Sequence, residues 1–154
     1  MVRRRRTTWR STRPGPPWPP PCAWRGSRIG LIATVSTTFH HPYNLARLFG
    51  TPDHVSNGRA AWSLVTSSVG EENFGPGGLP GPEDRYARAE EALEVVNALW
   101  DSWEAGALTA GADGAAVLDR DRVRPIGHSG RFFTVAGPLN IPPLPQRRVP
   151  TGYH

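Results

Sequence analysis

Four of the five histidines have the clearest capacity for chemistry, because imidazole can ligate a metal or transfer a proton near neutral pH. They are His40, His41, His54 and His128. Adjacent histidines such as the first two rarely point at one ion, and no acid lies at ligand spacing from them. We therefore predict no metal site, and these side chains are expected to have ordinary structural roles.

Two other segments could bind a ligand. Ser67 and Ser68 follow an apolar run that predicts a strand, and polar residues at the carboxyl ends of strands line ligand sites in α/β proteins. No G-x-S-x-G context surrounds them, so they are expected to hydrogen-bond to a ligand or to the following loop. The glycine-rich loop 75–81 matches neither G-x-G-x-x-G nor the P-loop, which predicts a flexible connection.

The positive charge of the chain lies in residues 1–28. This segment has eight Arg and no acid, whereas residues 29–154 have ten Arg against 13 acids. Trp9, Trp18 and Trp24 lie among these Arg residues and could stack on single-stranded nucleic acid. The Pro-rich composition predicts a disordered arm. The alternative to nucleic-acid binding is that this arm has no function.

The rest of the chain predicts strands alternating with helices. The predicted elements are a strand over 29–37, a helix from Pro42 to a turn at 53–58, a strand over 60–66, a helix over 82–104, short strands at 115–118 and 131–135, and extended coil over 137–154. The first strand is too continuously apolar for a half-exposed position, so we expect burial on both faces of a parallel sheet. The apolar face of the longer helix contains Tyr86, Ala89, Leu93, Val96, Trp100 and Trp103.

Length and composition limit the domain organisation. With 154 residues and the single Cys22, the chain forms at most one modest domain without an internal disulfide. No apolar run approaches the ~20 residues of a membrane span, and prolines follow the Arg run where a signal peptide would be apolar. We expect a cytoplasmic location, no membrane contact and three parts: a disordered arm (1–28), an α/β domain (29–145) and an unstructured tail (146–154).

Several blocks carry a recognisable pattern along the chain. They are TVSTTFHHPYNLAR (34–47), DHVSNGRAAWSLVTS (53–67), NFG (73–75), DRYARAEE (84–91), LWDSW (99–103), GRFF (130–133) and GPLN (137–140). In this order the blocks resemble the bacterial-luciferase-like flavin monooxygenases, in the branch of nitrilotriacetate monooxygenase component A and dibenzothiophene-sulfone monooxygenase. The resemblance covers about residues 29–145, which correspond to the interior of a longer protein.

The resemblance implies an α/β fold of the TIM (β/α)8 type, of which this chain would be a partial barrel with roughly two βα units and an insertion. A full barrel needs about 250 residues. The implied activity is a flavin-dependent monooxygenase reaction that uses O2 and reduced FMN supplied by a partner NAD(P)H-dependent flavin reductase, with a small organic substrate. The implied cofactor-binding residues are Thr34, Thr37, Ser63 and Tyr86, the catalytic residues stay unknown, and homo-oligomerisation is left open.

The chain also departs from that family. Ser63 stands where members usually have Asn, and Pro82 stands where many have a His that could assist Tyr86 in binding phosphate. Residues 1–28 and 146–154 do not resemble the family, and we hypothesise that both are out-of-frame translations of a longer gene, which would make the chain a truncated or frameshifted fragment. The alternatives are an inactive degenerate product and nucleic-acid binding through the basic arm, although nucleic acid is not the expected partner.

Overall fold

The computed structural model describes residues 28–75, 77–111 and 115–153. The elements in chain order are β1 (Leu31–Ser36), α1 (Pro42–Ser56), β2 (Ala60–Val65), a 3-10 turn (Glu71–Asn73), α2 (Pro82–Trp100), β3 (Leu108–Ala110), β4 (Ala116–Leu118), a second 3-10 turn (Arg120–Arg122), β5 (His128–Ser129), β6 (Thr134–Val135) and β7 (Thr151–Tyr153). The predicted disordered arm at 1–28 lies outside the described residues, apart from Arg28. Within the described ranges, no helix is long and apolar enough to cross a membrane.

A parallel three-stranded sheet in the order β1-β2-β7 organises the molecule. β1 pairs with β2 from Leu31 opposite Ala60 to Ser36 opposite Val65. The connection from β1 to β2 is α1, as parallel strands require a crossover. The predicted parallel sheet and the two strand–helix units are therefore present.

Helix α1 packs on one face of this sheet, and α2 packs against α1. Side chains alternate along a strand, and the buried apolar residues of β2 are Ala60, Trp62 and Leu64, which join residues of α1 and α2 in the core. Ser63 on the other face is also buried. The other face carries no helix among the described residues, and Ile32 on it is 63% exposed. The expectation that the first strand is buried on both faces is therefore wrong, because only one face of β1 has a helical layer over it.

The longer helix is shorter than predicted. α2 ends at Trp100, where Asp101 is the C-cap, and not at residue 104. The indole N–H of Trp100 donates to the carbonyl of Ala46 at 3.1 Å, which ties this end of α2 to α1. Trp103 lies beyond the helix, and its indole N–H donates to the carbonyl of Leu139 at 2.7 Å.

The first helix extends further than predicted. α1 runs through Pro52 to Ser56, so most of the expected turn at 53–58 is its last turn. Asn57 closes the helix in a left-handed conformation with φ 54°. The amide of Gly58 then donates to the carbonyl of Asp53 at 2.9 Å.

The prediction of an unstructured tail at 146–154 is wrong for residues 146–153, which the structure describes. The backbone amide of Gln146 and its side-chain amide donate to the two carboxylate oxygens of the buried Asp53, at 3.1 and 2.6 Å. Val149 is buried in the core, and β7 then pairs in parallel with β2. Long-range contacts hold this segment in place, and a proline-rich sequence gives no sign of them. The expectation of extended coil over 137–154 is therefore also wrong where these contacts occur.

Candidate functional site

The sheet face without helices is the first part of the candidate site. It carries Ile32, Thr34 and Ser36 of β1 and Ala61, Ser63 and Val65 of β2, which alternate with the residues packed under the helices. Thr34 and Ser63 are cross-strand partners in the sheet register. Facing pairs in a sheet lie about 5 Å apart, so two predicted cofactor contacts from distant parts of the sequence stand side by side.

Ser36, which sequence reasoning did not single out, joins the carboxyl ends of β1 and β2. Its hydroxyl oxygen accepts hydrogen bonds from the amides of Thr38 at 3.2 Å and Ser67 at 3.3 Å. Ser67 thus contacts the strand end through its backbone amide, and the ligand or loop contacts expected of the Ser67 and Ser68 hydroxyls stay predictions. The sequence signal that could have identified Ser36 was a small hydroxyl residue at the last position of a predicted strand.

Thr37 has a different environment from Thr34. It is fully buried, its amide donates to the carbonyl of Val65 at 3.1 Å, and its hydroxyl is 3.5 Å from the same oxygen. The side chain is thus turned toward the backbone of β2. Thr34 and Ser63 are brought together by the fold, whereas Thr37 lies inside the protein beside them.

Tyr86 lies in the second turn of α2 and is 61% exposed. The sequence interpretation that placed it on the buried apolar face is therefore wrong, because that face begins at Ala89. Within the described ranges its hydroxyl makes no hydrogen bond. The N-cap of α2 is Gly81, which has no side chain to accept hydrogen bonds from the first-turn amides. A helix N-terminus with such free amides favours anions.

The four candidate histidines occupy separate places. His40 donates from Nδ1 to the carbonyl of Ser36 at 2.9 Å, and His54 donates from Nε2 to that of Pro142 at 3.1 Å. His41 accepts the amide of Tyr43 at Nδ1 and caps α1. No group of three or more potential metal ligands occurs in the part of the chain that the structure describes.

His128 belongs to a partly buried cluster around Glu91 that the sequence did not reveal. Glu91 accepts hydrogen bonds from Nε2 of His128 at 3.0 Å and from the amides of Phe132 and Phe133, both at 2.9 Å. Burial raises the pKa of Glu91, but these donors outweigh it, and the net pKa lies below its ordinary value. The carboxylate therefore holds the β5–β6 hairpin on α2, 37 to 42 residues away in sequence.

The same hairpin brings an aromatic ring against two basic side chains. The guanidinium carbon of Arg88 lies 4.3 Å from the ring centroid of Phe133, and the His41 ring packs edge-on against that ring at 5.6 Å. Burial and the charge of Arg88 both lower the pKa of His41. His41 is therefore held in its neutral form, which its role as acceptor at the start of α1 requires.

Comparison with known proteins assigns a family pattern to most of the chain. The model of the luciferase-like monooxygenase family matches residues 21–154. The match extends past both ends of the predicted domain at 29 and 145. Together with the pairing of β7, it opposes the hypothesis that residues 146–154 are translated out of frame.

Individual relatives agree with this match. The chain is 43% identical to N-acetyl-S-(2-succino)cysteine monooxygenase of Bacillus subtilis over 78% of its own length. It is 48% identical to nitrilotriacetate monooxygenase component A of Aminobacter aminovorans over 77% of this chain. Among solved structures, long-chain alkane monooxygenase superposes with a TM-score of 0.79 and 37% identity over 85% of this chain. The chain spans 28%, 26% and 31% of the lengths of these three proteins.

Proposed function

The chain belongs to the luciferase-like monooxygenase family, and from this premise we propose that it is the flavin-contacting part of a monooxygenase that uses reduced FMN and O2. The observation that carries the proposal is the pairing of Thr34 with Ser63 on the sheet face without helices. A hydroxyl can donate to or accept from the polar edge of a flavin. Two adjacent hydroxyls on one sheet face can both reach the edge of a planar ring system.

The donors around α2 suit the phosphate of FMN. The exposed hydroxyl of Tyr86 has no partner among the described residues, and the uncapped first turn of α2 offers backbone amides. Helix N-termini bind phosphate through those amides and the helix dipole. Glu83 and Asp84 in the same turn reduce the positive potential there, so Tyr86 has the larger part in phosphate binding.

The four predicted contacts do not fit FMN equally well. Thr34 and Tyr86 are exposed, and Ser63, which is only 6% exposed, lies beside Thr34 on the sheet face without helices. Thr37 is fully buried beside the carbonyl of Val65. We therefore assign direct contacts to the first three and a supporting role to Thr37, which shapes the strand end from within.

When bound and reduced, FMN supplies the electrons that activate O2, and the protein orients the cofactor and excludes water. In this chain Ile32, Thr34 and Val65 provide the sheet surface on which the flavin would lie. Exclusion of water requires a cover over that surface, which the described residues do not supply. We propose that the activity belongs to a longer barrel of which this chain is a fragment.

The partner and substrate follow from the relatives. The name of nitrilotriacetate monooxygenase component A indicates a second component, and we propose that a flavin reductase supplies reduced FMN here. The named substrates of the relatives range from nitrilotriacetate and N-acetyl-S-(2-succino)cysteine to long-chain alkanes. They support a small organic substrate without defining its class.

Anaerobic titration of the full chain with reduced FMN tests the proposal. We expect saturable binding in the micromolar range, weakened about thirtyfold in the double variant Thr34→Val, Ser63→Ala, because each of the two lost hydrogen bonds costs about 1 kcal/mol. Thr109→Val in β3 is the matched control, since Thr109 is exposed in the β3–β4 hairpin. Absence of binding at high micromolar protein, or equal affinity in the double variant and the control, would contradict the proposal.

A further inference from the structure

Three buried side-chain atoms lack a hydrogen-bond partner in the described residues: Oγ1 of Thr38, Nε of Arg85 and Nε of Arg88. Buried polar atoms are almost always paired. Thr38 follows the carboxyl end of β1, and the two Arg residues lie in the first two turns of α2. The unpaired donors thus belong to the segments that border the proposed flavin site.

Arg88 is the most unusual of the three because its guanidinium has neither an ion pair nor a hydrogen bond within the described ranges, whereas Arg85 donates to the carbonyl of Pro80 at 2.8 Å. One face of its guanidinium lies over the ring of Phe133. Glu91 is the acid that acts on it electrostatically, but the two oxygens of Glu91 already accept three hydrogen bonds from His128 and from the Phe132 and Phe133 amides. Arg88 is therefore a half-buried, oriented cation whose hydrogen-bonding capacity is unused.

Arg88 and Tyr86 point to different sides of α2. Residues two apart on a helix are about 200° apart around its axis. Arg88 instead faces His41, which lies three residues after Thr38. An anion held by Arg88 therefore lies on the side of α2 that faces His41, separate from a phosphate held by Tyr86.

We propose that Arg88 binds a carboxylate of the substrate, so that the substrate of the proposed monooxygenase is an organic acid. This inference rests on the proposed function and specifies its substrate class. The planar guanidinium fork matches a carboxylate with two parallel hydrogen bonds. The contact of the guanidinium with the ring of Phe133, 4.3 Å from the guanidinium carbon to the ring centroid, restricts the position of the fork.

Calorimetric titration with succinate, in the absence of flavin, tests this site. The full chain is expected to bind succinate but not the uncharged succinamide. Arg88→Gln is expected to weaken succinate binding at least tenfold, and Arg88→Lys to weaken it less, since Lys keeps the charge but loses the fork. The matched control is Arg47→Gln, because Arg47 is an exposed residue of α1 outside this cluster, and it should bind as the wild type does.

The outcomes separate the substrate site from the flavin site. Equal binding of succinate and succinamide, or unchanged succinate affinity in Arg88→Gln, would overturn the carboxylate assignment. A loss of reduced FMN binding in Arg88→Gln with unchanged binding of reduced riboflavin would also overturn it, because Arg88 would then hold the flavin phosphate. Thermal unfolding of each variant shows that the binding measurements compare folded proteins. Binding of reduced FMN to the wild type is measured separately, so that a failure of the proposed function is distinguished from a failure of the carboxylate site.

Discussion

The two ends of α2 are built in different ways. Around its C-terminus the polar groups are paired: the Trp100 indole donates to Ala46, and Asp101 accepts from Arg147 and Arg148. Around its N-terminus Tyr86 is exposed, and Nε of both Arg85 and Arg88 is unpaired within the described ranges. The C-terminal end contributes to stability through these contacts, whereas we propose that Tyr86 and Arg88 near the N-terminal end bind ligands.

The largest expected effect is on stability at the C-terminal end. Trp100→Ala removes a buried ring and its hydrogen bond to Ala46, which should lower the free energy of unfolding by about 4 kcal/mol. Urea denaturation followed by circular dichroism measures the loss. Trp100→Phe is the matched variant and should cost about 1 kcal/mol, because it keeps most of the packing and loses the hydrogen bond. A loss below 1 kcal/mol for Trp100→Ala would contradict the stabilising role of this end.

The next effect concerns the Glu91 cluster in the middle of α2. Glu91→Gln replaces an acceptor of three hydrogen bonds by a group with one acceptor, and it should cost about 2 kcal/mol. Glu94→Gln is the control, since Glu94 is exposed on the same helix. The difference in thermal midpoint between the two variants measures the effect, and equal midpoints would show that the hairpin does not depend on Glu91.

Acid should destabilise the protein in two stages. The pKa of His41 is lowered from 6.5 by burial and by Arg88, so the stability that the neutral ring contributes is complete above that value and falls as the pH decreases below it. Burial raises the pKa values of Glu91 and Asp101, but their hydrogen-bond donors lower these values by more, so that the net pKa values lie below 4.5 and 3.8. The stability that these two carboxylates contribute is therefore lost at still lower pH. Thermal midpoints between pH 8 and 3 measure both stages. His41→Asn keeps a capping side chain and should remove only the first stage; persistence of that stage would assign it to another group.

The smallest effect on stability is expected at the N-terminal end. Tyr86→Ala should change the free energy of unfolding by less than about 0.5 kcal/mol, because the ring is exposed. The same variant should weaken reduced FMN binding severalfold and leave reduced riboflavin binding unchanged. A large loss of stability without a change in FMN affinity would contradict the assignment of Tyr86 to ligand binding.

Much of this fold follows from local sequence signals. β1, β2, α1 and α2 were predictable because apolar runs and helical periodicity mark them, with Pro42 and Pro82 at the helix starts. The tail was not predictable, since β7 has three residues and the segment depends on Gln146 meeting Asp53, 93 residues away. One-sided burial of β1 was also missed, because an apolar run does not show which layers exist to cover it.

The candidate site was only partly predictable. The family resemblance indicated Thr34, Ser63 and Tyr86, but only the sheet register places the first two side by side. The Glu91 cluster and the unpaired Arg88 depend on a hairpin that folds back onto α2 from about 40 residues away, and no local pattern marks such a contact.

Hydrogen–deuterium exchange with and without reduced FMN, under anaerobic conditions, tests the central claim most directly. We predict that the cofactor slows exchange of amides at the carboxyl ends of β1 and β2 and in the first turns of α2. The β3–β4 hairpin and the C-terminal turns of α2 should be unaffected. Uniform protection, or no protection at the strand ends and the start of α2, would contradict the assignment of this end of the molecule to flavin.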